Sequence, residues 1–314
     1  MRKMKEAGKV GLRQLFELGQ RLGVDILPRH FYSGIPDIGH LRRTKAWRKP
    51  LDMFGVAGAD LAPQIAFLED LCLPSLAGEW TALDVHGTAD KENGQGGGYG
   101  VIEAEVLHAF VRRHRPKRVV QVGCGVSTSV IVRAAMLAGY QPEIVCVEPY
   151  PSAFLTSAER RGLIKLHKEG AEECPRDVLT GLAEGDLLFV DSTHTVKPGS
   201  EVNRIILDVL PRLPAGTFIH FHDIYFPYDY QRSLLMGELF YQNESTLLHS
   251  FLIGNAHCGI VLSLSMLHYG APQRIAAVIP HYDPQRNSDG LRTAGGKHFP
   301  SATYLLTAGP GSTL

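Results

Sequence analysis

The sequence predicts an α/β protein in which a mostly parallel sheet is covered by helices on both faces and preceded by a helical segment. Two observations carry this. From residue 101 onward, short β-branched apolar runs alternate with stretches that place apolar side chains at helical spacing. The 314 residues, 44% of them hydrophobic, suffice for one large domain with a smaller region attached.

In chain order, residues 1–24 carry Leu12, Leu15, Phe16, Leu18 and Leu22 at roughly helical spacing, weakened by Gly19 and Gly23. Residues 61–76 repeat the pattern, and Pro28, Pro36 and Pro50 interrupt the stretch between. The run 92–100, ENGQGGGYG, holds five glycines and reads as a loop. It suggests a division into a helical cap or dimerisation arm over 1–95 and a sheet domain over 96–314. In that second part a helix is expected over 101–114, a strand over 118–123, a helix over 127–138, a strand over 143–148 and a helix over 152–161. A short strand over 163–168, a helix over 174–182, a strand over 186–191, a helix over 200–213 and a strand over 217–222 follow. The rest reads as a long helix over 231–253 and strands over 259–264 and 302–308.

The charge balance, 32 basic against 32 acidic side chains, gives no global positive field to draw the chain onto nucleic acid or an anionic membrane. A small molecule is the better expectation for a partner. Cys72, Cys124, Cys146, Cys174 and Cys258 show no CxxC or metal-ligand spacing and read as reduced, mostly buried thiols. The first residues lack a long apolar run with a cleavage site, and nowhere does the chain approach the ~20 apolar residues that cross a bilayer, so a cytoplasmic location is expected.

The strand over 118–123 runs into Gly123-Cys124-Gly125 and then into a helix of small and apolar residues. Glycine there lets backbone approach a ligand at the carboxyl end of a strand, where a doubly wound sheet binds its ligands. Such a turn is common by itself. About twenty residues further on, the strand Ile144-Val-Cys-Val ends in Glu148, whose carboxylate can accept hydrogen bonds from both hydroxyls of a ribose.

On these residues the chain resembles the class I S-adenosylmethionine-dependent methyltransferases from about Tyr99 onward. Within that family it resembles a branch of metal-dependent small-molecule and sugar O-methyltransferases. The resemblance rests on the glycine turn, Glu148, Asp191-Ser-Thr-His194, Ala215-Gly216 and the strand ending in His222-Asp223. It implies a Rossmann-like sheet of seven strands, the last antiparallel. It also implies S-adenosylmethionine over Gly123, Gly125 and Glu148, with Tyr99, Gln121, Ser127, Thr128 and Asp191 around it. Two residues depart from the pattern: Gln121 replaces an acid that helps hold the methionine end, and Ser127 replaces a third glycine. An amide can hydrogen-bond the same groups, and serine is a good helix cap.

Two further strands deliver acids to the same sheet edge. Asp191, His222 and Asp223 are candidate ligands for a divalent cation, Mg²⁺ if oxygen dominates and a softer metal if His222 joins. In the related enzymes the residue at 222 is an acid; the bland alternative is that these side chains cap loops. His194, in Asp-x-x-His, stands where similar sugar O-methyltransferases place a general base, with His220 in reserve. Both also fit the commoner part of a loop or core hydrogen-bonder. Residues 224–230, with three tyrosines, and 31–36 are candidate substrate walls, and Tyr99 a candidate lid.

Methyl transfer from S-adenosylmethionine to an oxygen of a small molecule is the leading expectation. Gln121 raises a second: a methionine amine not tied to a carboxylate can attack another carbon of the sulfonium and release methylthioadenosine. A third is a catalytically silent cofactor-binding scaffold, with the N-terminal arm as a homodimer interface, because fold alone never establishes activity. A nicotinamide dehydrogenase fits poorly, since the third glycine of Gly-x-Gly-x-x-Gly is missing.

Overall fold

The computed structural model describes residues 2–94, 98–282, 284–286, 292–294 and 299–309. The chain forms two compact units, 1–45 and 46–314. The first holds α1 (Arg2–Arg21) and α2 (Ile38–Thr44), the latter capped by Asp37, whose side chain accepts from the backbone N–H of His40.

The second unit opens with a 3₁₀ turn over Ala46–Arg48 and then α3 (Leu61–Leu71), α4 (Pro74–Leu83), α5 (Val85–Asn93) and α6 (Val101–His114). The sheet begins with β1 (Arg118–Val122), α7 (Val126–Leu137), β2 (Glu143–Val147), α8 (Ala153–Arg160) and β3 (Lys165–His167). It continues through α9 (Arg176–Thr180), β4 (Leu187–Val190), α10 (Glu201–Arg204), which runs on as π and 3₁₀ turns to Arg212, and β5 (Phe218–Phe221). A π turn over Ser233–Glu238, α11 (Glu244–Leu252), β6 (Cys258–Ser263), α12 (Leu264–Gly270), α13 (Pro272–Val278), the short pair β7 (Pro284–Arg286) and β8 (Arg292–Ala294), and β9 (Thr303–Thr307) complete the unit.

The main sheet has the order β3-β2-β1-β4-β5-β9-β6, and β9 alone runs antiparallel to its neighbours. This is the seven-stranded class I methyltransferase arrangement expected above. Period-two alternation splits each central strand between two cores. Leu187 and Phe189 of β4 pack with α6 and α7 residues such as Phe110 and Ile131, whereas Leu188 and Val190 pack with Ile206 and Leu248 on the other face. Winding reverses between β1 and β4, so the crevice at their carboxyl ends is where a ligand belongs.

Three expectations need correcting. The compact sheet unit starts at Ala46 and not at the glycine run. The reason is that α3–α5 bury Leu68, Leu71, Trp80 and Ala89 in the core that α6 and α7 share. The single helix expected over 231–253 is broken: Leu239 takes a left-handed φ of 58° and residues 239–243 are not helical before α11 begins. The helices α2, α4, α5, α12 and α13 escaped the sequence reading, being short or capped by residues that also suit loops. Of the glycine run, 95–97 lie outside the described residues.

Candidate active site

Backbone pairing lines the candidate residues up along one sheet edge. Past the ends of β1, β2, β4 and β5, Gly123 N donates to Val147 O, Glu148 N to His167 O, Asp191 N to Val122 O and His222 N to Val190 O, at 2.9–3.1 Å. Pairing continues one residue beyond each strand, which puts Gly123, Glu148, Asp191 and His222 in one row.

The glycine turn leaves no room for a side chain. Gly123 has φ 77°, and a Cβ there would lie 1.7 Å from the carbonyl oxygen of Asp191. Glu148 is clamped by two backbone donors, Cys124 N at 3.1 Å and Tyr150 N at 2.9 Å, one to each carboxylate oxygen. A carboxylate accepts more than two hydrogen bonds, so capacity remains toward the cleft that it lines. That cleft, about 450 Å³, is walled by Val122, Gly123, Glu148, Tyr150, Asp191 and Thr193 among others. A recess of about 190 Å³, lined by Asn93, Tyr99, Gly125 and Ser127, shares Gly123, Glu148 and Asp191 with it.

Gln121 and Thr128 lie beneath the turn and line neither space. The Gln121 amide donates to Ser127 Oγ at 2.6 Å and accepts from Thr128 Oγ1 at 2.8 Å, and that hydroxyl takes the N–H of Gly125 at 3.1 Å. Both residues are fully buried and pin the bend from below, so their expected cofactor contacts give way to a supporting part. Tyr99 is no lid. It is 2% exposed, packs on Phe189, His220 and His222, and directs its hydroxyl at His220 Nε2, 3.3 Å away. His220, the reserve base, is fully buried and stacked on Phe189; burial above all, then the charge of His222, pushes its pKa down to about 3. It is a core histidine.

At the far end of the row the chain gathers two imidazoles and four carboxylates. His194 Nδ1 hydrogen-bonds Glu244 Oε2 at 2.8 Å, and its Nε2 stands 3.4 Å from Asp191 Oδ1 and 3.5 Å from Asp223 Oδ2. His222 mirrors this, with Nε2 2.9 Å from Glu103 Oε2 and Nδ1 3.3 Å from Asp191 Oδ1 and 3.6 Å from Asp223 Oδ1. Glu103 is held by Ser301 and by Gly100 N, and Asp223 accepts from Tyr225 and Ser301. Thr193 gives its N–H and hydroxyl to Glu201, fixing the loop that carries His194. Both His194 and Asp223 have left-handed φ values, 57° and 54°, a strained state for residues with a Cβ.

Burial opposes every charge here, and the partners outweigh it for most. Burial pushes His194 down, but hydrogen bonds to Asp191 and Glu244 and the charge of Asp223 carry it up to about 10. His222 is likewise raised by Glu103, Asp191 and Asp223 against its burial. Asp191 is held below the carboxylate range, since His222 and His194 overcome its burial; Glu103 is also lowered against burial, chiefly by His222. Glu244 is the exception, where burial wins and the carboxyl is raised.

The sequence reading missed Glu103 and Glu244, which sit 119 and 50 residues from the histidines they support. Of the expected substrate walls, Tyr225 and Tyr230 are buried, and Tyr228 is half-buried against Tyr269. Phe31 and Tyr32 belong to the first unit and are exposed. The five cysteines are unpaired, as expected. Among the described residues no helix is long and apolar enough to cross a membrane.

The model of a family described as a methyltransferase domain matches residues 120–224. The matched span includes Gly123, Gly125, Glu148, Asp191, His194, His222 and Asp223 and leaves Glu103 and Glu244 outside. The sheet order above is the one expected of a class I S-adenosylmethionine-dependent methyltransferase. An uncharacterized protein of Archaeoglobus fulgidus is 32% identical over 147 residues, which are 44% of this chain; the chain spans 62% of that relative's length. Among solved structures, the chain is similar to the methyltransferase PaMTH1 of Podospora anserina bound to S-adenosylhomocysteine, at 16% identity over 91% of this chain and 99% of that one, with a TM-score of 0.39. It is also similar to 1,6-didemethyltoxoflavin-N1-methyltransferase of Burkholderia thailandensis, at 13% identity over 82% and 93% of the two chains, with a TM-score of 0.33.

Proposed function

We propose that this protein transfers the methyl group of S-adenosylmethionine to a hydroxyl oxygen of a small molecule. The observation that carries the reading is a convergence: Asp191 belongs both to the cleft that Gly123 and Glu148 wall and to the polar group of His194, His222 and Asp223. A cofactor cradle and a group able to hold and deprotonate an acceptor thus share one residue.

S-adenosylmethionine fits the residues present, because the glycine that approaches Asp191 most closely tolerates no Cβ and the Glu148 carboxylate keeps capacity for ribose hydroxyls. When bound it supplies an electrophilic methyl group on a sulfonium. Glu148 would hold the ribose and the Gly123–Gly125 backbone would face the cofactor, while the Gln121–Ser127–Thr128 hydrogen bonds keep the bend rigid. The Asp191 end fixes the acceptor so that its oxygen faces the cleft, and that orientation is most of what an in-line displacement needs. In the same reading Asp191, His222 and Asp223 would hold a divalent cation, which would supply Lewis acidity at the acceptor end of the cleft. His194, the expected base, is an imidazolium among these carboxylates. It accepts a proton only where another positive charge neutralises them.

The test is product analysis. The purified protein, given S-adenosylmethionine and a panel of polyhydroxylated and phenolic acceptors, is expected to release S-adenosylhomocysteine together with an acceptor heavier by one methylene. Methylthioadenosine in place of S-adenosylhomocysteine would favour cyclisation or alkyl transfer. Binding of S-adenosylhomocysteine without turnover on any acceptor would favour the silent scaffold.

A further inference from the structure

We propose that Glu103 and Glu244 make nitrogen ligands of His222 and His194, so that with Asp191 and Asp223 the two imidazoles hold one divalent transition-metal ion of the zinc class in preference to Mg²⁺. The inference deepens the function proposed above and rests on it in placing the ion at the acceptor end of the cleft.

The first argument is the direction of the rings. Each histidine gives one nitrogen to a buried carboxylate, Glu244 at 2.8 Å for His194 and Glu103 at 2.9 Å for His222. Glu244 is 0% exposed and Glu103 1%. A carboxylate behind one ring nitrogen fixes the tautomer and turns the other nitrogen, with its lone pair, outward; metal-binding histidines are seated this way. Both outward nitrogens, Nε2 of His194 and Nδ1 of His222, face the same two aspartates. Without an ion these two nitrogens carry their protons toward the aspartates, and a divalent cation takes the protons' place against the same carboxylates.

The second argument is spacing. The outward nitrogens lie 3.3–3.6 Å from the aspartate oxygens, longer than good hydrogen bonds. Ligand atoms ~2.0–2.1 Å from a tetrahedral ion are ~3.3–3.4 Å apart. Nδ1 of His222, on a residue 3% exposed, meets Asp191 at 3.3 Å without the geometry of a hydrogen bond. Ligand atoms of Asp191, His194 and His222 all fall within 4.8 Å of one another.

The third is backbone. His194 and Asp223, both candidate ligands, hold left-handed φ values, and strain of this kind persists where the surroundings demand a side-chain direction. The ion class follows from donor type. Mg²⁺ takes oxygen ligands in an octahedron and keeps its water, whereas imidazole suits zinc and its transition-metal neighbours. His194 is then a ligand and not a free base, and Glu103 and Glu244 are positioning residues that touch neither ion nor substrate.

The experiment uses the full-length protein, stripped by chelator and titrated with Co²⁺ while its visible absorption is followed. One Co²⁺ per chain is expected, displaced by Zn²⁺ and undisturbed by a large excess of Mg²⁺. Glu103→Gln and Glu244→Gln are each expected to weaken Co²⁺ binding by about 10–100-fold with circular dichroism unchanged. If either buried substitution prevents folding, His194→Gln, which removes a ligand, is expected to abolish the Co²⁺ bands in a folded protein. A folded wild type without Co²⁺ bands, Mg²⁺ that competes as well as Zn²⁺, or folded variants that all bind as wild type would each overturn the proposal. Calorimetry with S-adenosylhomocysteine on the stripped protein separates the two readings. Binding there without Co²⁺ binding leaves methyl transfer standing and sinks the metal site; Co²⁺ binding without it does the reverse.

Discussion

Two of the places that bury histidine in this molecule do opposite things with it. In the middle of α6, His108 is 1% exposed, accepts the Trp80 indole N–H on Nδ1 at 3.1 Å, and has its pKa pushed down to about 4 by burial first and then by the charges of Arg112 and Arg133. At the sheet edge, His194 and His222 are as well buried but face Glu103, Asp191, Asp223 and Glu244, and both are raised. Burial alone therefore does not mark a functional histidine. What separates the pair is the sign of the partners and whether the spare nitrogens converge on one point beside a cleft.

If that distinction is right, the largest loss comes from removing the residue common to cleft and cluster. Asp191→Ala is expected to lower the methyl-transfer rate by about 10³-fold or more, with secondary structure kept, as judged by single-turnover kinetics beside circular dichroism. A folded Asp191→Ala protein of near-normal rate would mean that the cluster is structural, as His108 is.

The next effect is on the cradle. Gly123→Ala puts a Cβ against the Asp191 carbonyl in a backbone that favours glycine, and is expected to cost about 3 kcal/mol or more in chemical unfolding. Glu148→Gln is gentler: it keeps one acceptor for the two backbone donors and loses the charge, and calorimetry is expected to show S-adenosylhomocysteine binding weakened by about 30–100-fold, or about 2–3 kcal/mol. Because Glu148 does not touch the cluster, Co²⁺ binding is expected to be unchanged in this variant. A joint loss would tie the two regions together more closely than the contacts suggest.

How far these regions were legible in the sequence follows from how local their signals are. The sheet was legible because its strands are short apolar runs ended by glycine or acid. Gly123, Glu148, Asp191 and His222 were legible for the same reason, each standing just past a strand. Gln121 was misjudged because position 121 lies on β1, one residue before its end, and period-two alternation turns its side chain under the turn. Glu103 and Glu244 left no mark of function. The first reads as an ordinary N-terminal helix acid, three residues after Gly100, and the second lies in a stretch that looks like one long helix until Leu239 breaks it. Their parts are decided by packing of α6 and α11 against the sheet edge, which no local pattern records.

The smallest predicted effect tests the structural half of the comparison. His108 has a folded pKa near 4 against an ordinary 6.5, so the unfolded chain binds more protons than the folded one between those values. Its contribution to stability is complete above pH 6.5 and is lost as the pH falls toward 4; between pH 7 and pH 5 the loss is about 2 kcal/mol. Protonation would add a charge beside Arg112 and take away the acceptor of the Trp80 N–H; Glu79, 3.6 Å from Nε2, is already engaged by Arg112 and offsets little. His108→Asn keeps an acceptor near the indole and removes the titration. Other histidines lowered by burial, His220 among them, titrate in both proteins. The difference between wild type and variant therefore isolates His108: urea unfolding at pH 7 and pH 5 is expected to show wild type losing about 2 kcal/mol more than His108→Asn does. Equal losses in the two proteins would mean that His108 is charged when folded, and the contrast with His194 and His222 would then rest on convergence alone.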